Sequence, residues 1–259
     1  MSIITAGDHL IHYEVLGRGK PLIFIHGWLG SWRYWWPAMQ GMAAHQYRSF
    51  AFDLWGFGDS SKAPEMYSIE AYVEMLDRFI KRLGVAPPIT LVGHSLGAVV
   101  ALQYTMKYPE NIDRVFTVAL PATGSALNDR LANTEPATFL HKVINNNVAE
   151  VGSEIRKTDQ TAFNTLAQET RNSNLTAILA NFPRPLLLLY GGQDNVIKPP
   201  PPHLQQQENQ RVYISLDECH HFPMLQKSDI FNRLLLDFIL AGDDLSGLAP
   251  KEYWKRRVR

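Results

Sequence analysis

A serine held between two glycines, in Gly93-His94-Ser95-Leu96-Gly97, constrains the fold of this chain more than any other segment. An apolar run at residues 89–92 precedes it, and a helix-forming run at residues 98–102 follows it. That order predicts a strand, a sharp turn and a helix, with the serine hydroxyl at the turn. The glycines are expected because so tight a turn leaves no room for side chains beside the serine. The segment therefore indicates a serine nucleophile.

Short apolar runs recur along the chain and predict further strands. Several are continuous rather than alternating, as expected of strands that are covered on both faces of a parallel sheet. The clearest is Leu186-Leu187-Leu188-Leu189. The predicted strands are residues 9–15, 22–26, 49–53, 89–93, 115–119, 186–190 and 212–216.

Helical patterns lie between these strands. Ser68 is expected to cap one helix and Gly84 to end it. Pro109 should stop the helix that follows the serine turn, and Ser228 is expected to cap the last helix. Alternation of strands and helices predicts an α/β fold, with a mostly parallel, doubly wound sheet and helices on both of its faces.

The alternation breaks between residues 121 and 182, where helical pieces occur and no strand is predicted. We interpret this segment as a small helical insertion over the end of the sheet. The expected organisation is a core of residues 1–120 and 183–242, a lid or cap of residues 121–182, and a basic tail of residues 243–259.

Composition argues against several functions. The 25 basic and 25 acidic residues balance, which disfavours nucleic acid or an acidic membrane as a partner. A single cysteine, Cys219, excludes an internal disulfide and fits a reducing compartment. The sequence shows neither a signal peptide nor an apolar run of membrane-spanning length. We therefore expect a cytoplasmic protein without membrane insertion, and the oligomeric state stays open.

A serine nucleophile needs a base to take its proton and an acid to orient that base. In a strand-turn-helix setting the chain order is serine, acid, histidine. Asp194 follows the predicted strand at 186–190, and His220 and His221 follow the strand at 212–216. Asp194 is therefore the expected acid, and either histidine could be the base.

The reaction also needs backbone N–H groups that bind the developing oxyanion. One should belong to Leu96, directly after the nucleophile, and the other to Trp28, in the loop after an early strand. The neighbouring His26 is expected to bond the local backbone rather than to act as a base.

Five segments together resemble the α/β-hydrolase superfamily, in its serine-nucleophile, esterase- and lipase-like branch. They are His26-Gly27-Trp28, residues 53–60 (Asp-Leu-Trp-Gly-Phe-Gly-Asp-Ser), residues 93–97, Gly192-Gln193-Asp194 and His221-Phe222-Pro223.

The resemblance selects His221 as the base, because the family's histidine precedes a Phe-Pro or similar apolar pair. It also implies that residues 121–182 form a lid over the site and that Asp53 braces a loop. Epoxide hydrolases and haloalkane dehalogenases of this superfamily place an aspartate at the turn. Ser95 therefore favours a tetrahedral acyl intermediate.

The expected substrate pocket is apolar and includes Trp28, His94, Phe222 and Met224. The expected function is hydrolysis of small apolar carboxylic esters through an acyl-enzyme, with no metal and no organic cofactor. The same three residues would also suit a cofactor-free perhydrolase, a thioesterase or a C–C bond hydrolase. A non-enzymatic small-molecule receptor on this fold is a further alternative.

Overall fold

The computed structural model describes residues 2–144 and 149–249. Its strands are β1 (Ser2–Ala6), β2 (His9–Gly17), β3 (Lys20–Ile25), β4 (Tyr47–Phe52), β5 (Ile89–His94), β6 (Ile112–Val118), β7 (Leu186–Gly191) and β8 (Arg211–Leu216). They form one eight-stranded sheet in the order β1-β2-β4-β3-β5-β6-β7-β8. β2 runs antiparallel to both of its neighbours, and all other pairs are parallel.

Each predicted strand coincides with an observed strand, and the predicted α/β fold with a mostly parallel sheet is confirmed. β1 was not predicted. It is an edge strand in which Ile3 is 55% exposed, so it lacks the continuous apolar run that marks a buried strand. Most of the predicted basic tail, residues 250–259, lies outside the described residues.

Helices occupy most of the connections between the strands. Within the described residues they are α1 (Trp36–Ala43), α2 (Ile69–Leu83), α3 (Leu96–Lys107), α4 (Pro136–Phe139), α5 (Ala149–Glu154), α6 (Gln160–Arg171), α7 (Thr176–Ala180), α8 (Pro223–Gln226) and α9 (Ser228–Leu240). A π-helical turn, Leu140–Ile144, continues α4. No helix in the described ranges combines the length and the apolar character that crossing a bilayer requires.

Strand register shows that helices cover both faces of the sheet. Phe24 on β3 aligns with Val92 on β5, which aligns with Phe116 on β6, so these side chains share a face. On that face the Phe116 ring lies 5.3 Å from Phe231 of α9. Phe52 on β4 points to the opposite face, because the residue aligned with Phe24 is Ala51. There Phe52 stacks on a ring of α2, that of Phe79, with the ring centroids 4.6 Å apart.

The predicted helix caps agree only in part with the structure. The Ser68 hydroxyl accepts a hydrogen bond from the N–H of Ala71, and Gly84 ends α2 with a left-handed φ of 60°. The prediction for Ser228 is wrong: it is the first residue of α9, and Lys227 at the cap position makes no side-chain cap hydrogen bond.

Residues 121–182 contain α4 to α7 and connect with the core at the carboxyl edge of the sheet. Their first part pairs with the loop after β7: Leu127 bridges Ile197, and the N–H of Lys198 donates to the carbonyl of Ala126 over 2.9 Å. We keep the division of the chain into a core and a lid as a proposal.

An ion-pair cluster joins the same segment to loops after β3 and β4. Arg33 lies 3.2 Å from both Asp59 and Glu154, and Lys157 lies 2.8 Å from Asp59. Burial alone would raise the pKa of Asp59, but hydrogen bonds from Lys157 and Arg33 outweigh it, and the pKa is lowered. The carboxylate therefore stays ionised where it holds the insertion against the core.

A close backbone approach fixes the position of α3. A Cβ atom on Gly97 would lie closer than 3.0 Å to the carbonyl oxygens of Ile25 and His26, so the helix meets the end of β3 with no space for a side chain. Those oxygens belong to the backbone and cannot move aside without distorting the strand.

We expect Gly97→Ala to lower the free energy of unfolding by about 1–3 kcal/mol, because the added methyl group overpacks this contact. Urea unfolding followed by circular dichroism measures the change. The control is Gly152→Ala in α5, where an added Cβ meets nothing within 4 Å. Alanine should slightly stabilise that helix. Equal stability of the two variants would contradict the prediction.

Candidate active site

The serine turn has the strained backbone that an exposed nucleophile requires. Ser95 joins β5 to α3 with φ 53° and ψ −112°, a conformation that costs a non-glycine residue about 1–3 kcal/mol. Its N–H donates to the carbonyl of Val118 on the neighbouring strand over 2.8 Å. A Cβ on Gly93 would collide with the backbone of Gly97 and Ala98. Both flanking glycines are therefore required by close backbone contacts.

Asp194 and His221 form a direct pair at the ends of adjacent strands. The Nδ1 atom of His221 lies 2.8 Å from Asp194 Oδ2, and both side chains are almost fully buried. The other carboxylate oxygen accepts the N–H groups of Val196 (2.7 Å) and Ile197 (3.1 Å), which fix the carboxylate. Because the carboxylate only accepts, Nδ1 of His221 carries a proton and Nε2 keeps its lone pair.

His220, the other candidate base, faces a different partner. Its Nδ1 atom lies 2.8 Å from the backbone carbonyl of Gln193, and its N–H donates to the side chain of Gln226. The aspartate therefore pairs with the histidine that the family resemblance selected, and His220 helps to hold the loop.

The Ser95 hydroxyl does not complete this arrangement in the observed conformation. Its Oγ atom is fully buried and has no hydrogen-bond partner among the described residues, so it is not bonded to His221. Hydrogen bonds between catalytic groups are often absent or long before a substrate binds. The structure thus joins the acid to the imidazole and leaves the hydroxyl free.

The residues expected to bind an oxyanion adjoin the serine. A Cβ on Gly27 would lie 2.8 Å from Ser95 Cβ, so the loop carrying Trp28 passes directly beside the nucleophile. Leu29 in that loop has φ 59°. Leu96 is the first residue of α3, and its N–H has no acceptor within the helix because it lies in the first turn.

His26 bonds the backbone, as predicted. Its Nδ1 lies 2.8 Å from the carbonyl of Gly27, and its Nε2 accepts the N–H of Leu54 over 2.9 Å. Burial lowers the pKa of His26, and Asp53 opposes this shift less strongly. The neutral imidazole fixes the entrance to the Trp28 loop.

That His94 lines the pocket stays a prediction, and in the structure both of its ring nitrogens have hydrogen-bond partners. Its side chain is fully buried, with Nδ1 3.0 Å from the Tyr34 hydroxyl and Nε2 2.9 Å from the backbone carbonyl of His221. Burial, and next the nearby His221, hold the pKa of His94 well below its ordinary value. Sequence reasoning missed Tyr34, because within a run of aromatic residues nothing separates a hydroxyl with a hydrogen-bonding role from a ring that only packs.

The remaining pocket candidates are apolar and buried. Trp28, Phe222 and Met224 have exposed fractions of 3% or less. The Phe222 ring lies 5.0 Å from the ring of His221. An apolar ring therefore lies beside the imidazole, and Ser95 is shielded from solvent in this conformation.

Asp53 has the bracing contacts that the resemblance implied. One carboxylate oxygen accepts the N–H of Trp32 (2.8 Å), and the other accepts the N–H of Asp59 (2.9 Å) and lies 2.9 Å from His12 Nδ1. His12, Asp53 and Asp59 are close enough together to hold a metal ion. Their ligand atoms already bond one another, the backbone, or the cations Arg33 and Lys157. We interpret the cluster as a hydrogen-bonded brace.

Comparison with known proteins agrees with this architecture. A family model described as the alpha/beta hydrolase fold matches residues 20–148. An esterase from Exiguobacterium antarcticum superposes with a TM-score of 0.78, at 17% identity, covering 92% of this chain and 99% of that one. This chain belongs to the α/β-hydrolase superfamily.

Two sequence relatives differ in how much of their length is shared. Bifunctional epoxide hydrolase 2 of Mus musculus is 30% identical over 113 residues, which are 43% of this chain and 20% of that protein. The match thus spans a fifth of that relative. A 2-hydroxy-6-oxo-6-(2'-aminophenyl)hexa-2,4-dienoic acid hydrolase of Metapseudomonas resinovorans is 22% identical, covering 95% of this chain and 93% of that enzyme.

We expect Asp194→Asn to lower kcat for any substrate that needs His221 as a base, by on the order of 10⁴-fold, because the amide no longer orients the imidazole. Steady-state kinetics measures the loss, and thermal unfolding checks that the fold is kept. The control is His220→Gln, which should stay near the wild-type rate. A large loss of kcat in His220→Gln and none in Asp194→Asn would indicate that His220 is the base and that Asp194 is not its acid.

The buried histidines predict a loss of stability in acid. The pKa values of His26 and His94 are lowered in the folded chain, so the unfolded chain binds their protons at higher pH. Stability should therefore be full above about pH 6.5 and fall below it, by up to about 1.4 kcal/mol per pH unit for each group. Urea unfolding from pH 5 to 8 measures this slope, and a flat profile would contradict the prediction.

Proposed function

We propose that this chain is a serine hydrolase that cleaves small apolar carboxylic esters through an acyl-enzyme. The observation that carries the proposal is the buried pair of Asp194 and His221 at the sheet edge where the strained turn places Ser95. In this fold such a turn presents a nucleophile, and an acid-histidine pair serves to activate it.

The roles follow from the proton positions. Nε2 of His221 has a lone pair and can accept the proton of Ser95 as Oγ attacks the ester carbonyl carbon. The resulting tetrahedral intermediate collapses with loss of the alcohol, to which His221 returns the proton. Water then attacks the acyl-enzyme by the same proton route. Asp194 stabilises the imidazolium in both halves of the reaction.

The oxyanion would be bound by the N–H groups of Trp28 and Leu96. Both belong to backbone beside Ser95, and fixed donors of this kind stabilise developing charge without reorganisation. The apolar side chains of Trp28, Phe222 and Met224 favour an apolar acyl or alcohol part. The proposed chemistry needs no metal and no organic cofactor.

A closed conformation implies a motion before binding. Ser95 is fully buried, so we propose that residues 121–182 act as a lid that must shift to admit the ester. The ion pairs that Glu154 and Lys157 form with the core would be released in that step.

C–C bond hydrolysis is the second candidate. It is favoured by the match along 95% of this chain to the Metapseudomonas hydrolase, whose name describes a dienoic acid substrate. Epoxide hydrolysis is not favoured, because Ser95 stands where the epoxide hydrolases of the superfamily have an aspartate. A panel of substrates and ligands tests the perhydrolase, thioesterase and receptor alternatives.

We expect Ser95→Ala to lower the turnover of p-nitrophenyl acetate and butyrate by at least ~10³-fold, since the nucleophile is lost. The melting temperature of this variant should not fall, because the substitution breaks no hydrogen bond and removes only a buried hydroxyl that has no partner. A fluorophosphonate probe, followed by peptide mapping, should label Ser95 in the wild type and nothing in the variant.

The same panel separates the alternatives. Turnover of a dienoic ring-fission product faster than that of any ester would transfer the proposal to C–C hydrolysis. No Ser95-dependent turnover of any class, together with a ligand-induced rise in melting temperature, would favour a receptor. Equal ester hydrolysis by the wild type and Ser95→Ala would remove Ser95 from the mechanism.

A further inference from the structure

We propose that Tyr34 and His94 are positioning residues that hold the catalytic base, the nucleophile turn and the oxyanion loop in register through one directed chain of hydrogen bonds. The inference rests on the proposed hydrolase function and adds two residues to its machinery. Both side chains are buried, and their polar atoms bond other residues of the protein.

The direction of the chain follows from its end groups. The carbonyl of His221 can only accept, so Nε2 of His94, 2.9 Å away, donates to it. In the neutral imidazole Nδ1 then keeps its lone pair and accepts the proton of the Tyr34 hydroxyl over 3.0 Å. The Tyr34 oxygen in turn accepts the N–H of Gly27 over 2.5 Å. Every donor in the chain meets an acceptor in a single arrangement.

Three parts of the sequence that are far from one another meet in this chain of hydrogen bonds. Gly27 precedes the proposed oxyanion donor Trp28, and Tyr34 lies in the turn before α1. His94 immediately precedes the nucleophile, and the chain ends on the backbone of His221 itself. A shift of any residue in this chain would therefore change the distance between the Ser95 hydroxyl and the His221 imidazole.

The uncharged state of His94 matters for its neighbour. The rings of His94 and His221 lie 4.5 Å apart, and the proposed reaction makes His221 cationic in each half. A charge on His94 would oppose that step, whereas a neutral ring tolerates it. Burial, and next the nearby His221, lower the pKa of His94 and keep it neutral, although the hydrogen bond to the His221 carbonyl opposes this shift.

In the described part of the chain, the Gly27 N–H and His94 Nδ1 have no hydrogen-bond partner other than Tyr34. Aromatic rings surround His94: the centroid of Phe222 lies 5.1 Å away and that of Trp35 6.5 Å away. A Cβ on Gly30 would collide with the Tyr34 ring, so the loop is shaped to admit that ring. Loss of the hydroxyl would leave both the Gly27 N–H and His94 Nδ1 without a partner.

The first test compares two buried tyrosines. Tyr34→Phe removes the link, and the control Tyr72→Phe removes a buried hydroxyl that donates to the carbonyl of Trp55. Both variants should lose similar amounts of melting temperature. Only Tyr34→Phe should lower kcat for p-nitrophenyl butyrate, by roughly 10- to 100-fold with KM within about twofold of wild type. The rate of fluorophosphonate labelling of Ser95 should fall in parallel.

The second test is rescue at His94. His94→Gln keeps a donor for the His221 carbonyl and an acceptor for Tyr34, whereas His94→Leu keeps the volume and neither group. The Gln variant should be labelled by the probe at least about 10-fold faster than the Leu variant. In the wild type, ¹⁵N NMR of the imidazoles should show the Nε2–H tautomer of His94, a readout that needs no variant to fold.

The outcomes separate the inference from the function on which it rests. Wild-type activity or labelling no greater than that of Ser95→Ala would overturn both. If activity depends on Ser95, three results would each overturn the positioning role alone. They are equal kcat in Tyr34→Phe and Tyr72→Phe, equal labelling of the two His94 variants, and the Nδ1–H tautomer of His94 in the wild type.

Discussion

The tight backbone reversal between β5 and α3 is the constraint on which the site depends. Ser95 adopts a positive φ there, and Gly93 and Gly97 allow the helix to press against the strands. The contact of Gly97 with the end of β3 lies close to Gly27, which brings the loop of Trp28 next to Ser95. Because so many atoms meet at this point, the surrounding structure can hold a conformation that an isolated turn would not adopt.

Three buried histidines near that reversal differ in role because their partners differ. His26 bonds backbone groups of the loops that follow β3 and β4. His94 links a tyrosine hydroxyl to a backbone carbonyl. His221 pairs with the carboxylate of Asp194. Burial favours the neutral form of the first two, and of the three only His221 bonds a carboxylate. In our proposal this contrast makes one imidazole the base and the others its supports.

The insertion and the core are connected by contacts of two kinds. Backbone hydrogen bonds attach its first residues to the loop of Asp194, while ion pairs attach Glu154 and Lys157 to the loops after β3 and β4. The pair of Lys157 with Asp59 is partly exposed and is screened by salt, so it can release more readily than the backbone contacts, whereas Glu154 is buried. Such an arrangement suits a segment that closes a site without losing its anchor beside the proposed acid.

The sequence by itself determined the buried strands, both ends of α2 and the order of serine, aspartate and histidine, because buried strands, caps and tight turns each leave a local pattern. It did not determine β1, whose exposed edge position has no continuous apolar run, or the choice of His221 over His220 without the family resemblance. Only the tertiary structure showed the hydrogen bonds of His94 and of Tyr34. His94 is 60 residues from Tyr34 and 127 residues from His221 in sequence. Hydrogen bonds across such separations depend on how the folded elements pack.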